Sequence, residues 1–118
     1  MVDSILTTIK KMLGIESNYT AFDSEIVAYI NSALMSLTQL GVGPETGFSI
    51  EGSAEVWTDF LGDSKTMEAV KTYIHQKVKL IFDPPTSSFV VDAINRNLLE
   101  LEWRLCFRRE IENAQATQ

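Results

Sequence analysis

One histidine, one cysteine and a scatter of carboxylates are the residues with which this chain could do chemistry. His75 is four residues from Lys71 and four from Lys79, so on a helix the three share a face. An imidazole between two ammonium groups reads as a surface or boundary residue rather than a general base. With no second histidine, a zinc site lacks ligands. Cys106 has no histidine or asparagine set against it in a nucleophile pattern, and it reads as an inert thiol. Glu100 and Glu102 stand two apart, so they do not face one another on a helix. Gly41-Val42-Gly43 is not followed by the Gly-Lys-Ser that opens a phosphate-binding helix. A calcium-loop pattern is missing as well. The expectation is a protein that is not an enzyme, with no catalytic residue, no metal and no cofactor.

What remains is architecture, and it centres on Met67 to Pro85. Met67, Val70, Ile74, Val78 and Ile81 recur at steps of three and four, the spacing of a helix with one apolar face. Thr72, His75, Gln76 and Lys79 fall outside that stripe. Asp83 precedes Pro84-Pro85, which cannot continue a helix, so the stretch ends in a rigid corner. A second long helix leaves from it, capped by Ser87 or Ser88. Phe89, Val91, Ile94, Leu98, Leu101 and Leu105 form its expected seam. Beyond Leu105 the seam fades into a polar tail from Asn113, so the helix end is expected to project.

The other elements must pack on this pair. Ser4 can cap a helix carrying Ile5, Leu6, Ile9, Met12 and Leu13, closed by Gly14. Lys10 and Lys11 in its last turn suit the helix dipole. Thr20 or Asp23 can cap the next helix, whose stripe is Ile26, Ile30, Ala33, Leu34, Leu37 and Leu40, closed by Gly41. After a turn-rich linker, Phe48-Ser49-Ile50 can run extended. Ser53 can then cap a short helix with Val56, Trp57, Phe60 and Leu61. The fold class is all-α: a small irregular bundle of about four main helices and one short one, as a single domain over 1–118.

The bulk numbers agree with a globular protein. Of 118 residues 45% are apolar, and no apolar run is long enough to span a bilayer. The start lacks a basic region followed by an apolar core, so no secretory signal is expected. A net charge of −6 argues against binding nucleic acid by neutralising phosphates. The charge is uneven. Val42 to Asp63 holds Glu45, Glu51, Glu55, Asp59 and Asp63 with no base; Ser64 to Phe82 holds Lys65, Lys71, Lys77 and Lys79 against Glu68 alone.

Several stretches together resemble a known family. Lys71-Thr72-Tyr73-Ile74, Lys77 through Pro85, Leu99-Glu100-Leu101-Glu102-Trp103-Arg104-Leu105, Phe60-Leu61-Gly62-Asp63 and Gln39-Leu40-Gly41-Val42-Gly43 resemble the head–tail connector (adaptor) proteins of long-tailed bacteriophages. The resemblance runs from about Ile5 to Leu105. It implies a virion protein forming a ring, usually of about twelve copies, beneath the capsid portal. Such a ring bridges the portal to the next neck, stopper or tail-completion protein, and DNA passes through it without sequence-specific binding. Assembly in the host cytoplasm precedes residence at the head–tail interface.

A ring needs one face of a subunit to meet a different face of the next. Glu55, Trp57, Asp59 and Phe60 on the acidic side, and Lys71, Lys77 and Lys79 on the basic side, are the candidate subunit interface. Trp57 and Phe60 can alternatively tuck onto the core. Trp103, Phe107, Arg108 and Ile111 are the candidate portal or neck docking residues. The alternative function is a small helical DNA-binding or regulatory phage protein of terminase-small-subunit or repressor type. Acidity and the lack of an Arg/Lys-rich recognition helix count against it.

Overall fold

A computed structural model describes the backbone of residues 4–62 and 65–116, and side chains among them as far as Cys106. Among the described residues five helices follow one another: α1 (Ile5–Met12), α2 (Asp23–Gln39), α3 (Trp57–Leu61), α4 (Met67–Phe82) and α5 (Ser88–Ala116). No strand forms among the described residues; an isolated antiparallel bridge pairs Ser4 with Val56. The chain is all-α, as its periodicities imply. α4 is the hub, packing on α1, α2 and α5.

The helix ends follow local chemistry. Ser4 Oγ accepts the Thr7 N–H at 2.9 Å and so caps α1. α1 and α2 end alike. Ile15 N–H donates to Lys10 C=O and Gly14 N–H to Lys11 C=O; Val42 N–H donates to Leu37 C=O and Gly41 N–H to Thr38 C=O. Both turns need a left-handed residue, and Gly14 (φ 82) and Gly41 (φ 84) supply it without a Cβ penalty. At the corner after α4, Ser87 Oγ receives the Val90 N–H of α5.

Two expected caps are absent. α2 starts after Phe22 with no side-chain cap; Asp23 is its first residue, and its carboxylate turns instead to Lys10. α3 starts after Val56, and the Asp59 carboxylate accepts the Val56 N–H at 3.0 Å, so Ser53 is not the cap.

The core is the expected α2 stripe with α1 and α4 against it. Ile5, Ile9, Ile26, Ile30, Leu34, Leu37, Val70, Ile74 and Val78 are fully buried. Tyr73, which the α4 stripe omits, is buried with them, while Ile81 at its far end is exposed. The physical reason is that α4 is covered on two sides. Tyr73 lies toward α5, where its hydroxyl donates to Glu102 Oε2 at 2.6 Å; Ile81 lies in the last turn before the corner. Phe89 likewise leaves the α5 seam and is 75% exposed, whereas Leu98 and Leu105 are buried.

α5 returns antiparallel along α4. Asn97 Nδ2 donates to Gln76 Oε1 at 2.9 Å, and Glu102 meets Tyr73. These pairs bring the first residue of α4 level with about residue 107, so α5 extends roughly two turns past its partner.

Candidate functional site

The acidic loop is pinned to α1. Ile5 N–H donates to Glu55 C=O at 3.0 Å, and the Trp57 indole N–H donates to Thr8 Oγ1 at 2.9 Å. Trp57 and Phe60 are 3% and 2% exposed, so both close the core of their own chain. A side chain buried to that degree has little area left for a neighbouring copy. Of the four acidic-side interface candidates, Asp59 is exposed and Glu55 half-buried. Both carboxylates also hold the loop: Glu55 Oε2 accepts the Glu51 N–H at 2.9 Å, and Asp59 caps α3. Asp63 lies outside the described residues.

The lysines of α4 have partners within the chain. Lys71 Nζ sits 5.6 Å from the centre of the Trp57 ring and 3.6 Å from Glu68. Lys77 Nζ sits 5.6 Å from the Tyr73 ring and 4.0 Å from Glu102. Lys79 Nζ is 3.3 Å from Asp83 Oδ2. No ion pair joins these lysines to Glu45, Glu51, Glu55 or Asp59 among the described residues. The acidic block therefore keeps an outward negative face. Among the described residues, the one tie from α4 lysines to that block runs through the Trp57 ring. These partly exposed pairs contribute at most about 1 kcal/mol each, so a second copy could displace them at little cost.

On α5, Trp103 is 66% exposed, and Leu99, one turn earlier on the same face, is exposed to the same extent. Sequence reasoning missed Leu99, because the inner seam at Leu98 and Leu101 absorbs the apolar signal around it. Phe107, Arg108 and Ile111 lie outside the described side chains, although the backbone there is helical.

His75 and Cys106 are both half-buried. Burial first, and then the Lys79 ammonium, hold the imidazole below its ordinary pKa of 6.5, against a hydrogen bond with the Met12 backbone. His75 Nε2 is buried without a hydrogen-bond partner. The folded state thus prefers the neutral ring, while the unfolded chain takes up a proton from pH 6.5 downward. This contribution to stability is complete above 6.5 and is lost as pH falls toward the lower folded value. The Tm is expected to drop between about pH 7 and about pH 5. His75→Gln should remove part of that drop, measured by circular dichroism; an identical drop in the variant would exclude the imidazole as its source. No group of three His, Cys, Asp or Glu side chains that could hold a metal occurs among the described residues. No described helix is long and apolar enough to cross a membrane.

The surface is thus built from a pinned acidic loop, an internally paired lysine face and an overhanging helix. A model of the family described as phage connector protein matches residues 5–112. No curated protein and no solved structure matches the chain. The match runs from the first residue of α1 into α5 and takes in the hub and the acidic loop, and the chain belongs to the phage connector protein family.

Proposed function

We propose that the chain forms a ring, of about twelve copies, beneath the portal, joining the phage head to the next neck or tail-completion protein and letting DNA pass. The observation that carries this reading is the family match over residues 5–112. The net charge of −6 supports it physically. Carboxylates lining a channel repel phosphates, so DNA slides without sticking. Glu55 and Asp59 meet the lysine-bearing face of α4 in the next copy. The overhanging end of α5, with Leu99 and Trp103 leading into Phe107, Arg108 and Ile111, docks on the portal or an adjacent ring. The protein resides in the virion after assembling in the host cytoplasm.

Native mass spectrometry, with and without duplex DNA, tests the reading. A discrete high-order ring indifferent to DNA is expected; a dimer or tetramer that takes up DNA at modest salt would overturn it. Truncation after Leu105 tests the docking surface. It retains the part of α5 that covers α4, so the far-ultraviolet helical signal and a cooperative melt should persist while co-sedimentation with purified portal is lost. Docking that survives the truncation places the portal contact elsewhere.

A further inference from the structure

After Gly47, whose φ of 91 turns the chain, Phe48 to Ile50 runs without helix, turn or bend. Where such a run is extended, alternate residues present their N–H and C=O to the same edge. Asn31 of α2 takes both groups of Ile50: its Oδ1 accepts the N–H at 2.7 Å, and its Nδ2 donates to the C=O at 3.0 Å. One side-chain amide thus stands where a residue of a neighbouring strand would stand. Phe48 lies two residues upstream on the same edge, and its N–H and C=O find no partner among the described residues. That edge opens on a groove of about 430 Å³ between α2 and the loop, lined by Met35, Thr38, Gly47 and Ser49 among others. Met35 is 64% exposed there. The Phe48 ring packs 5.4 Å from that of Phe60, so the loop side of the groove is braced on the core. Exposed Glu45 and Glu51 flank the run, and no base occurs between Val42 and Asp63.

We propose that this groove docks an extended, basic-flanked segment of another protein, which pairs its main chain with the N–H and C=O of Phe48 and lays an apolar side chain on Met35. Strand addition of this kind draws affinity from main-chain hydrogen bonds, and the flanking pockets and charges choose the sequence. Here the acidic rim selects Lys or Arg beside the apolar residue. Asn31 has already ordered the loop, so docking need not order it again. The inference is independent of ring formation and of the α5 tip.

Selection of a displayed library of random octapeptides on the immobilised full-length chain tests it. Enriched peptides should alternate apolar residues and carry a Lys or Arg flank. A synthetic copy should slow hydrogen exchange at the Phe48 amide. It should also bind the Met35→Lys variant at least about tenfold more weakly. Met35 is exposed, so that variant should keep the parental Tm, which is checked alongside. Three outcomes would overturn the proposal: no enrichment beyond that on Met35→Lys, enrichment of acidic flanks, or bound peptides that leave Phe48 exchange unchanged.

Discussion

The Lys10→Met variant is expected to unfold about 12 °C below the parent chain, a loss of about 3 kcal/mol at about 4 °C per kcal/mol for a chain of this size. Lys10 is 1% exposed on α1. Its ammonium donates to Tyr19 C=O at 2.7 Å and to Ser17 C=O at 3.1 Å, and lies 2.8 Å from Asp23 Oδ1. Two hydrogen bonds to carbonyl oxygens and one nearby carboxylate satisfy the ammonium, which is why the charge can stay buried. Asp23 Oδ1 accepts no hydrogen bond of good angle, so that third contact is Coulombic. Methionine keeps the apolar stem but leaves two carbonyls and a half-buried carboxylate without their cation. The connector between α1 and α2 then loses its internal anchor. Thermal melts at neutral pH check this; a loss below about 1 kcal/mol would show the connector to be held by packing instead.

Asn31→Ala has the second largest expected effect, also about 3 kcal/mol, because it strips partners from two main-chain groups at once. Ile50 is 2% exposed, so neither its N–H nor its C=O regains full hydration when the amide is removed. Asn31→Asp separates the two bonds. It keeps an acceptor for the Ile50 N–H and places a carboxylate against the C=O, so it should fall between alanine and the parent. Chemical denaturation with an unchanged slope would attribute the loss to the folded state. Hydrogen exchange at the Ile50 amide should speed up in the alanine variant ahead of global unfolding. Parental exchange at that amide would refute the clamp.

These two residues mark how far the sequence could be read. Ser4, Gly14, Gly41 and the corner at Pro84-Pro85 declare themselves because their chemistry is local: a cap, a left-handed turn or a missing N–H acts within a few residues of its own position. The α2 stripe is equally legible, since Ile26, Ile30, Ala33, Leu34 and Leu37 recur at helical steps and all are buried. Lys10 and Asn31 gave no such signal. One reads as an ordinary C-terminal lysine and the other as a polar position on a helix, because their partners lie 7 to 19 residues away.

The candidate interface residues divide in the same way. Trp57 and Phe60 stand out by type in an acidic stretch, yet type alone does not say whether an aromatic faces the chain's own core or a neighbour's. The indole bond to Thr8 and the closeness of Phe48 to Phe60 turn both inward. Leu99, read only as part of a family motif, and Met35, unremarked in sequence, emerge as exposed apolar surface.

By itself, then, the sequence determined the helices, the ends set by Ser4, Gly14, Gly41 and Pro84-Pro85, the central place of α4, and the family to which the motifs of Gln39–Gly43, Lys77–Pro85 and Leu99–Leu105 point. Periodicity and caps are properties of neighbours along the chain. Only the tertiary structure decided which face of α4 takes Tyr73 rather than Ile81, how a buried lysine is satisfied, and where Asn31 replaces a strand. Those outcomes depend on which groups from distant segments meet once water is excluded, and no spacing within one helix encodes that.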